Sequence, residues 1–272
     1  LTAGTTTWDE GGSLVSLSFS NIENAKGGDG DDRFTGDSTY NRFEGGLGND
    51  VADYSSATAG LGFAILTANA SNDGSATVVG SGVAADTFVG IEHLVGGKTT
   101  GDSFTGFFGG YTPDGGGTGE TGSDWAIYTA SSANLTVDLA AGRATDGSGV
   151  GTSTQTLVGI ENFTTGSGND LFKGNAANNY FNGGAGLQDK VDYSSATNAL
   201  TVDLSLNYAQ GGAEVGVDQL YNIEYVVGGS GNDSFWGTSA DNLFEAGAGV
   251  DQMSYSNLGA YALNIVLDGA NN

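Results

Sequence analysis

The sequence predicts an all-β solenoid, a right-handed parallel β-roll or β-helix with no significant helix. Three observations carry this: glycine in quantity beside enough apolar residues for a core, a long internal repeat, and short alternating segments where a helical period would otherwise appear. Glycine supplies 49 of the 272 residues and proline one, yet 38% of residues are hydrophobic, with 13 Phe and 11 Tyr. A glycine load of this kind normally marks a linker or disorder. In a chain that can also bury aromatics it marks tight turns repeated at regular intervals. Each such glycine would cost a helix interior about 1 kcal/mol relative to alanine.

The repeat is read from four Ile-Glu pairs, at Ile22-Glu23, Ile91-Glu92, Ile160-Glu161 and Ile223-Glu224. Their glutamates lie 69, 69 and 63 residues apart, and each pair precedes a glycine-rich turn. Behind the turns comes an aromatic start: DYSSAT (53–58), IYTASS (127–132), DYSSAT (192–197) and SYSNLG (254–259). An alternating segment follows: LGFAIL (61–66), LTVDL (135–139), LTVDL (200–204) and LNIVL (263–267). In the last, Leu263, Ile265 and Leu267 face inward and Asn264 outward, the period of a half-buried strand. The chain thus divides into about four units of 62–74 residues (1–50, 51–124, 125–189, 190–251) and a partial unit 252–272, all in one solenoid. The last 21 residues read as the first part of a unit and residues 1–28 as its second part. Neither end carries an evident capping segment, which a free solenoid needs. Two readings follow: a window of a longer tandem array, or copies stacked end to end, each completing its neighbour's broken unit.

Charge narrows the partners. There are 32 acids against seven Lys/Arg, a formal net charge of −25. Nucleic acid and anionic membranes require clustered positive charge and are excluded on that ground. A compact fold at this charge repels itself unless it takes up cations. Halophilic solvation is the alternative, and the regular placement of the acids argues against it. Without cysteine there are no disulfides and no thiolate metal sites. No apolar run approaches the roughly 18 residues of a membrane span.

Within each unit, nine-residue turns follow one another. The first unit reads GGDGDDRFT (27–35), GDSTYNRFE (36–44), GGLGNDVAD (45–53); the fourth reads GGSGNDSFW (228–236), GTSADNLFE (237–245), AGAGVDQMS (246–254). The third has TGSGNDLFK (165–173), GNAANNYFN (174–182) and GGAGLQDKVD (183–192), with one extra residue. The form is G-G-x-G-x-D-x-U-x with U apolar. It resembles the RTX, or hemolysin-type calcium-binding, nonapeptide of secreted bacterial proteins. A hard cation such as Ca²⁺ takes six to eight oxygens at about 2.3–2.6 Å. Glycines let the backbone turn sharply and aim carbonyls at one point, and one carboxylate per turn adds charge. The U residues Phe34, Phe43, Phe104, Phe172, Phe181, Phe235 and Phe244 are expected to stack as an interior ladder, with a ligand-stacking platform as the alternative.

Two nonapeptides make one coil of eighteen residues, so a cation is expected between Asp32 and Asp50, between Asp233 and Asp251, and between Asp170 and Asp189, which are 19 apart. All of these sites are expected along one edge. The middle turns carry Asn41, Asn179 or Asn242, where sites should be weak or absent. The resemblance implies the full ligand sets: Gly28, Gly30, Asp32, Gly45, Leu47 and Asp50 in the first unit; Gly229, Gly231, Asp233, Ala246, Ala248 and Asp251 in the fourth; Gly166, Gly168, Asp170, Gly183 and Asp189 in the third. All but the aspartates would act through backbone carbonyls. The second unit departs, with GGKTTGDSF (96–104) supplying Asp102 and GETGSDWAIY (119–128) restoring register with Asp124. Its middle turn is replaced by GFFGGYTPDGGGTG (106–119), holding the only proline and expected to leave the solenoid as a surface loop, with a partner contact as the functional alternative.

A phosphate-cradling loop would use Lys and lead into a helix, whereas these turns end in Asp and lead into strands. The only histidine, His93, has Asn24, Asn162 and Tyr225 at its equivalent positions, so the repeat does not require it. The repeated Glu23, Glu92, Glu161 and Glu224 are expected to cap neighbouring turns or bind an ion at their edge. No nucleophilic triad or zinc motif is present, and paired carboxylates of a glycosidase would break a repeat rather than recur with it. The expected function is structural: a calcium-stabilised repeat region of a bacterial surface fibre, surface layer or large adhesin, not an enzyme, partnered by copies of itself or other cell-surface components. The resemblance implies export, by type I secretion, and folding outside the cell. The alternative is an accessory calcium-binding module of a secreted enzyme or toxin.

Overall fold

The computed structural model describes residues 4–9, 14–19, 22–36, 39–68, 74–80, 83–99, 101–106, 111–116, 121–147, 154–256 and 259. The alternating segment at 263–267 lies outside them. The chain forms two compact units, Leu1–Tyr128 with Ser153–Ile160, and Thr129–Thr152 with Glu161–Asn272. Among the described residues the secondary structure is strand, apart from one 3-10 turn at Gly212–Glu214.

In the first unit, one sheet runs Trp125–Ile127, Ser103–Thr105, Leu61–Ala68, Gly74–Gly80, Val83–Val89, Arg42–Glu44, Asn24–Lys26 in hydrogen-bonded order. Facing it is a sheet of Thr112–Asp114, His93–Val95, Val51–Asp53 and Arg33–Thr35. Successive nonapeptide strands alternate between the two sheets. Arg42 therefore pairs in parallel with Asn24, and Val51 with Arg33, each eighteen residues on. This is a parallel β-roll, and its period follows from one strand plus one turn per nine residues. The second unit repeats the plan. Asn162–Thr164, Tyr180–Asn182 and Val217–Tyr221 belong to one sheet, and Leu171–Lys173, Lys190–Asp192 and Tyr225–Val227 to the other.

The alternating segments do more than add one parallel strand each. Leu61–Ala68, Gly74–Gly80 and Val83–Val89 form a three-stranded antiparallel excursion before the roll resumes. Thr201–Asp203, Tyr208–Gln210 and Val217–Tyr221 do the same in the second unit. A reversal of this kind is open to an antiparallel pair, which needs only a short turn.

The apolar position of each nonapeptide points between the sheets. Phe43, Phe104, Phe172 and Phe181 are fully buried, and Phe34 and Phe235 nearly so. Phe34 stacks on Phe43 (5.1 Å between centroids), Phe43 on Phe88 (5.7 Å), Phe63 on Phe104 (4.6 Å) and Phe172 on Phe181 (5.0 Å). Six of the seven expected residues are buried in the ladder, whereas Phe244 lies tilted against Phe235 (5.3 Å) and is only half-buried. Offset stacking adds about 0.5–1.5 kcal/mol per pair beyond area burial. Phe172→Ala should therefore cost about 3–5 kcal/mol in a denaturant melt at saturating calcium. A loss below about 1 kcal/mol would mean that the ring is not part of the core.

One expectation is corrected here. The 106–119 insertion does not leave the roll as a loop throughout: Thr112–Asp114 pairs in parallel with His93–Val95 and so rebuilds the missing middle strand. The Pro113 carbonyl accepts from the Val158 N–H (3.1 Å), while Thr112 N–H donates back to Glu92 (2.6 Å). Proline is tolerated because its missing N–H falls on the side away from the His93–Val95 strand. Residues 107–110 and 117–120 lie outside the described set.

Candidate metal centre

The site starts with backbone that only glycine can supply. Gly46 and Gly48 have φ of +124° and +128°, and a Cβ on Gly46 would lie 2.1 Å from the Gly28 carbonyl oxygen. The carbonyls of Gly28 and Gly30 thus point from the upper turn onto Gly46 and Gly48 of the lower one, and the Gly45 carbonyl points back at Gly27. Gly229 and Gly231 face Gly247 and Gly249 in the same way, with Ala246 turned back toward Gly228. Gly166 and Gly168 face Gly184 and Gly186, and the Gly183 carbonyl accepts from Thr165 Oγ1 (3.1 Å). Leu47 and Ala248 occupy the third position of their turns, where their N–H groups donate to Gly28 and Gly229 (3.0 Å each).

The aspartates form a ladder through these turns. Asp32 N–H donates to Asp50 Oδ1 (2.8 Å), Asp170 N–H to Asp189 Oδ1 (2.7 Å) and Asp233 N–H to Asp251 Oδ1 (2.8 Å). The irregular second unit does the same: Asp102 N–H donates to Asp124 Oδ1 across 22 residues. So the structure brings together all four expected pairs. Above each later pair the ladder continues to a leucine, with Leu61, Leu135 and Leu200 N–H donating to Asp102, Asp170 and Asp233. Below, Asp50 and Asp189 N–H donate to Glu92 and Glu224 Oε2 (2.8 and 3.0 Å). Two of the repeated glutamates therefore cap turns.

The second oxygens of these carboxylates decide the chemistry. Asp32 and Asp233 Oδ2 accept from the second residue of their own turn, Gly28 and Gly229 (2.8 and 3.0 Å). Asp50, Asp170 and Asp189 are at most 1% exposed, and their Oδ2 atoms have no hydrogen-bond donor. A buried, unpaired carboxylate oxygen costs several kcal/mol unless it gains a proton or a cation. Burial pushes Asp189 up to about 7, with the Asp170 and Glu224 charges adding to it against the Asp170 N–H bond. Burial raises Asp50 and Asp170 as well, each opposed by the backbone N–H it accepts from.

The donor set fits a hard divalent cation. It is all oxygen, two carboxylates to a pair, with inward carbonyls to complete the shell. Among the described residues no group of three or more His, Cys, Asp or Glu side chains is placed to hold a metal ion. Bound between the turns, Ca²⁺ would supply the two positive charges that the paired carboxylates lack. His93 stands apart from this, half-buried, with Nε2 3.2 Å from Asp114 Oδ2.

The single-edge expectation does not hold. The turns 27–32 and 45–50 leave the larger sheet for the smaller, whereas 96–102 and 115–124 cross in the opposite sense. Asp32/Asp50 and Asp102/Asp124 therefore lie on opposite edges of their unit, as do Asp170/Asp189 and Asp233/Asp251 of theirs. The cause is the antiparallel excursion, which starts and ends in the same sheet, so that two crossings, an even number, separate successive pairs.

Sequence reasoning missed Asp86, Gln155 and Asp218. Asp86 and Asp218 are fully buried and accept from the N–H groups of Asn41 and Asn179 (2.6 and 2.9 Å). Each of the three stands six residues before an Ile-Glu glutamate, a fixed offset that could have found them.

Stacked glycine turns holding half-satisfied buried carboxylates define a calcium-binding parallel β-roll. Residues 21–55, 157–186 and 222–254 match the family of the RTX calcium-binding nonapeptide repeat, in four copies. Those segments are RTX repeats, a class that binds calcium and is typical of secreted proteins. No curated protein matches the chain.

Gly46→Ala tests the turn geometry. The added Cβ meets the Gly28 carbonyl and φ is unfavourable, a strain of about 1–3 kcal/mol. The variant should bind one calcium fewer by isothermal titration. Unchanged stoichiometry and affinity would show that the turn does not form the site.

Proposed function

We propose that this chain is a calcium-stabilised structural repeat region of an extracellular bacterial surface fibre, surface layer or adhesin. One observation carries the reading: among the described residues the same aspartate pairing recurs four times. A catalytic site needs one constellation unlike its neighbours. A scaffold needs the same contact over and over, and the ladder provides that. The reading makes the chain not an enzyme, exported by type I secretion, and partnered by copies of itself or by other cell-surface components.

The reading gains support from the end of the second unit. In Leu243–Glu245 and Gln252–Ser254 the inner residues Phe244 and Met253 are half-buried and half-exposed respectively, where their register partners Val226 and Phe235 are buried. A further rung, from another copy or from more of the same array, would cover them. Negative-stain electron microscopy of the purified chain in millimolar calcium should show filaments or sheets that disperse in chelator. Monodisperse single particles at high concentration would favour the accessory module of a secreted enzyme or toxin.

A further inference from the structure

The Asn179–Asp218 rung has the frame of a calcium site without being one. In three of the four calcium pairs the second residue of the upper turn donates to that turn's own acid, as Gly229 N–H does to Asp233. Here Asn175 N–H donates to Asn179 Oδ1 (3.1 Å). In the calcium pairs the acid-position N–H donates to the acid below; here Asn179 N–H donates to Asp218 Oδ1 (2.9 Å). At the fifth position Asn232 caps Val250 N–H, and here Asn178 caps Val217 N–H (2.9 Å each). At the fourth, the Gly231 carbonyl faces Gly249, and here the Ala177 carbonyl faces Gly216, whose φ is +75°. The lower turn even reads GGAEVGVD (211–218), a nonapeptide turn with two extra residues.

Two things differ. The upper acid is an asparagine, and the lower acid's Oδ2 is not left bare. Tyr193, itself fully within the core, donates its hydroxyl to Asp218 Oδ2 (2.8 Å). That oxygen is the counterpart of the one left without a donor on Asp50 and Asp189. The first unit builds the same rung, with Asn41 N–H on Asp86 Oδ1 and the Tyr54 hydroxyl on Asp86 Oδ2. Between them the chain offers a neutral version: Tyr128 donates to Gln155 Oε1 (2.6 Å), and the Gln155 amide donates to the Tyr111 carbonyl (2.9 Å). A tyrosine at this point is thus compatible with an amide, which cannot serve as an anionic ligand.

We propose that Tyr54 and Tyr193 determine which acid-bearing rungs take a cation: each hydroxyl occupies the carboxylate oxygen that a cation would need, and holds the rung metal-free. The inference rests on the calcium reading of the four aspartate pairs. Its physical basis is charge. An Asn–Asp rung carries one negative charge, and a charge-assisted hydrogen bond from a buried phenol satisfies it without a metal. An Asp–Asp rung carries two, which one hydroxyl cannot offset. The consequence is a roll in which metal-dependent and metal-independent rungs alternate, so that part of each unit can keep its pairing when calcium is withdrawn.

Equilibrium dialysis of the full chain against radiolabelled Ca²⁺ at millimolar concentration tests this, with far-UV circular dichroism confirming the fold of each variant. Asp218→Asn should bind as many ions as the parent, because its amide oxygen can keep the Asn179 N–H while its NH2 donates to the Tyr193 oxygen. Asp189→Asn should bind at least one fewer. The double variant Asn179→Asp/Tyr193→Phe, which restores two charges and removes the hydroxyl, should bind one more. A loss of calcium in Asp218→Asn overturns the proposal, since the rung would then already hold an ion. So does a folded double variant that gains none. If the double variant does not fold, the Asp218→Asn result decides by itself. No loss in Asp189→Asn would instead sink the reading of the aspartate pairs and not the role of the tyrosine.

Discussion

Stripped of calcium at neutral pH, the chain loses most of its strand signal in far-UV circular dichroism, and millimolar calcium restores it. The magnitude follows from linkage. A cation present at a hundred times its dissociation constant stabilises the folded state by about 2.7 kcal/mol per site. Four aspartate pairs would then contribute roughly 11 kcal/mol, against a total stability of about 5–15 kcal/mol for a typical domain. Without the metal, Asp50 and Asp189 keep a bare buried oxygen apiece, and each is flanked by further acids. The sites do not exist in the unfolded chain, so binding free energy becomes folding free energy. A spectrum that is unchanged by chelator would show that the turns hold without metal.

Acidification should partly replace the metal. The Asp189 carboxyl sits at about 7 when folded, against an ordinary 3.8, and Asp218 likewise at about 7, in both cases because burial disfavours the charge. Between about pH 4 and pH 7 the folded chain holds protons there that the unfolded chain has released. Metal-free stability therefore falls as pH rises through that window and recovers as pH is lowered. For Asp189 the shift is worth on the order of 4 kcal/mol at most. At the acid end other groups reverse the trend. Glu214, held down at about 2 by Thr197 hydrogen bonds, and Asp53 and Asp192, lowered overall by bonds from Ser55 and Ser194 against their burial, stabilise the fold only while ionised. Their contribution is lost as pH falls below the ordinary carboxylate range. The metal-free chain should thus regain strand signal between pH 8 and pH 5 and lose it again at lower pH. Calcium, which must displace the proton on Asp189, should bind more weakly as pH falls through 7. A metal-free signal that is flat or declining from pH 8 to pH 5 would contradict the burial of these acids.

Much of this was open to reading from the residues. The nine-residue spacing fixed where each strand and turn would fall, because glycine alone tolerates the φ of Gly46 and Gly48 and the apolar eighth position must turn inward. It also paired Asp32 with Asp50 and Asp233 with Asp251. What spacing could not reveal was Asp218, which looks like a loop acid until Tyr193 and Asn179 close on it from 25 and 39 residues away. Nor could it show that Thr112–Asp114 rejoins the roll, since a proline in a glycine-rich insert reads as a loop.

The amino-acid order by itself determined the roll, its eighteen-residue coil and the aspartates that face one another, since local turn geometry and periodicity depend on near neighbours in the chain. Only the folded arrangement decided the edge on which each pair lies and the acids that meet a hydroxyl instead of a metal. Both depend on antiparallel excursions whose hydrogen bonds join residues far apart in sequence, and no local pattern records how many times the chain crosses between sheets before it returns.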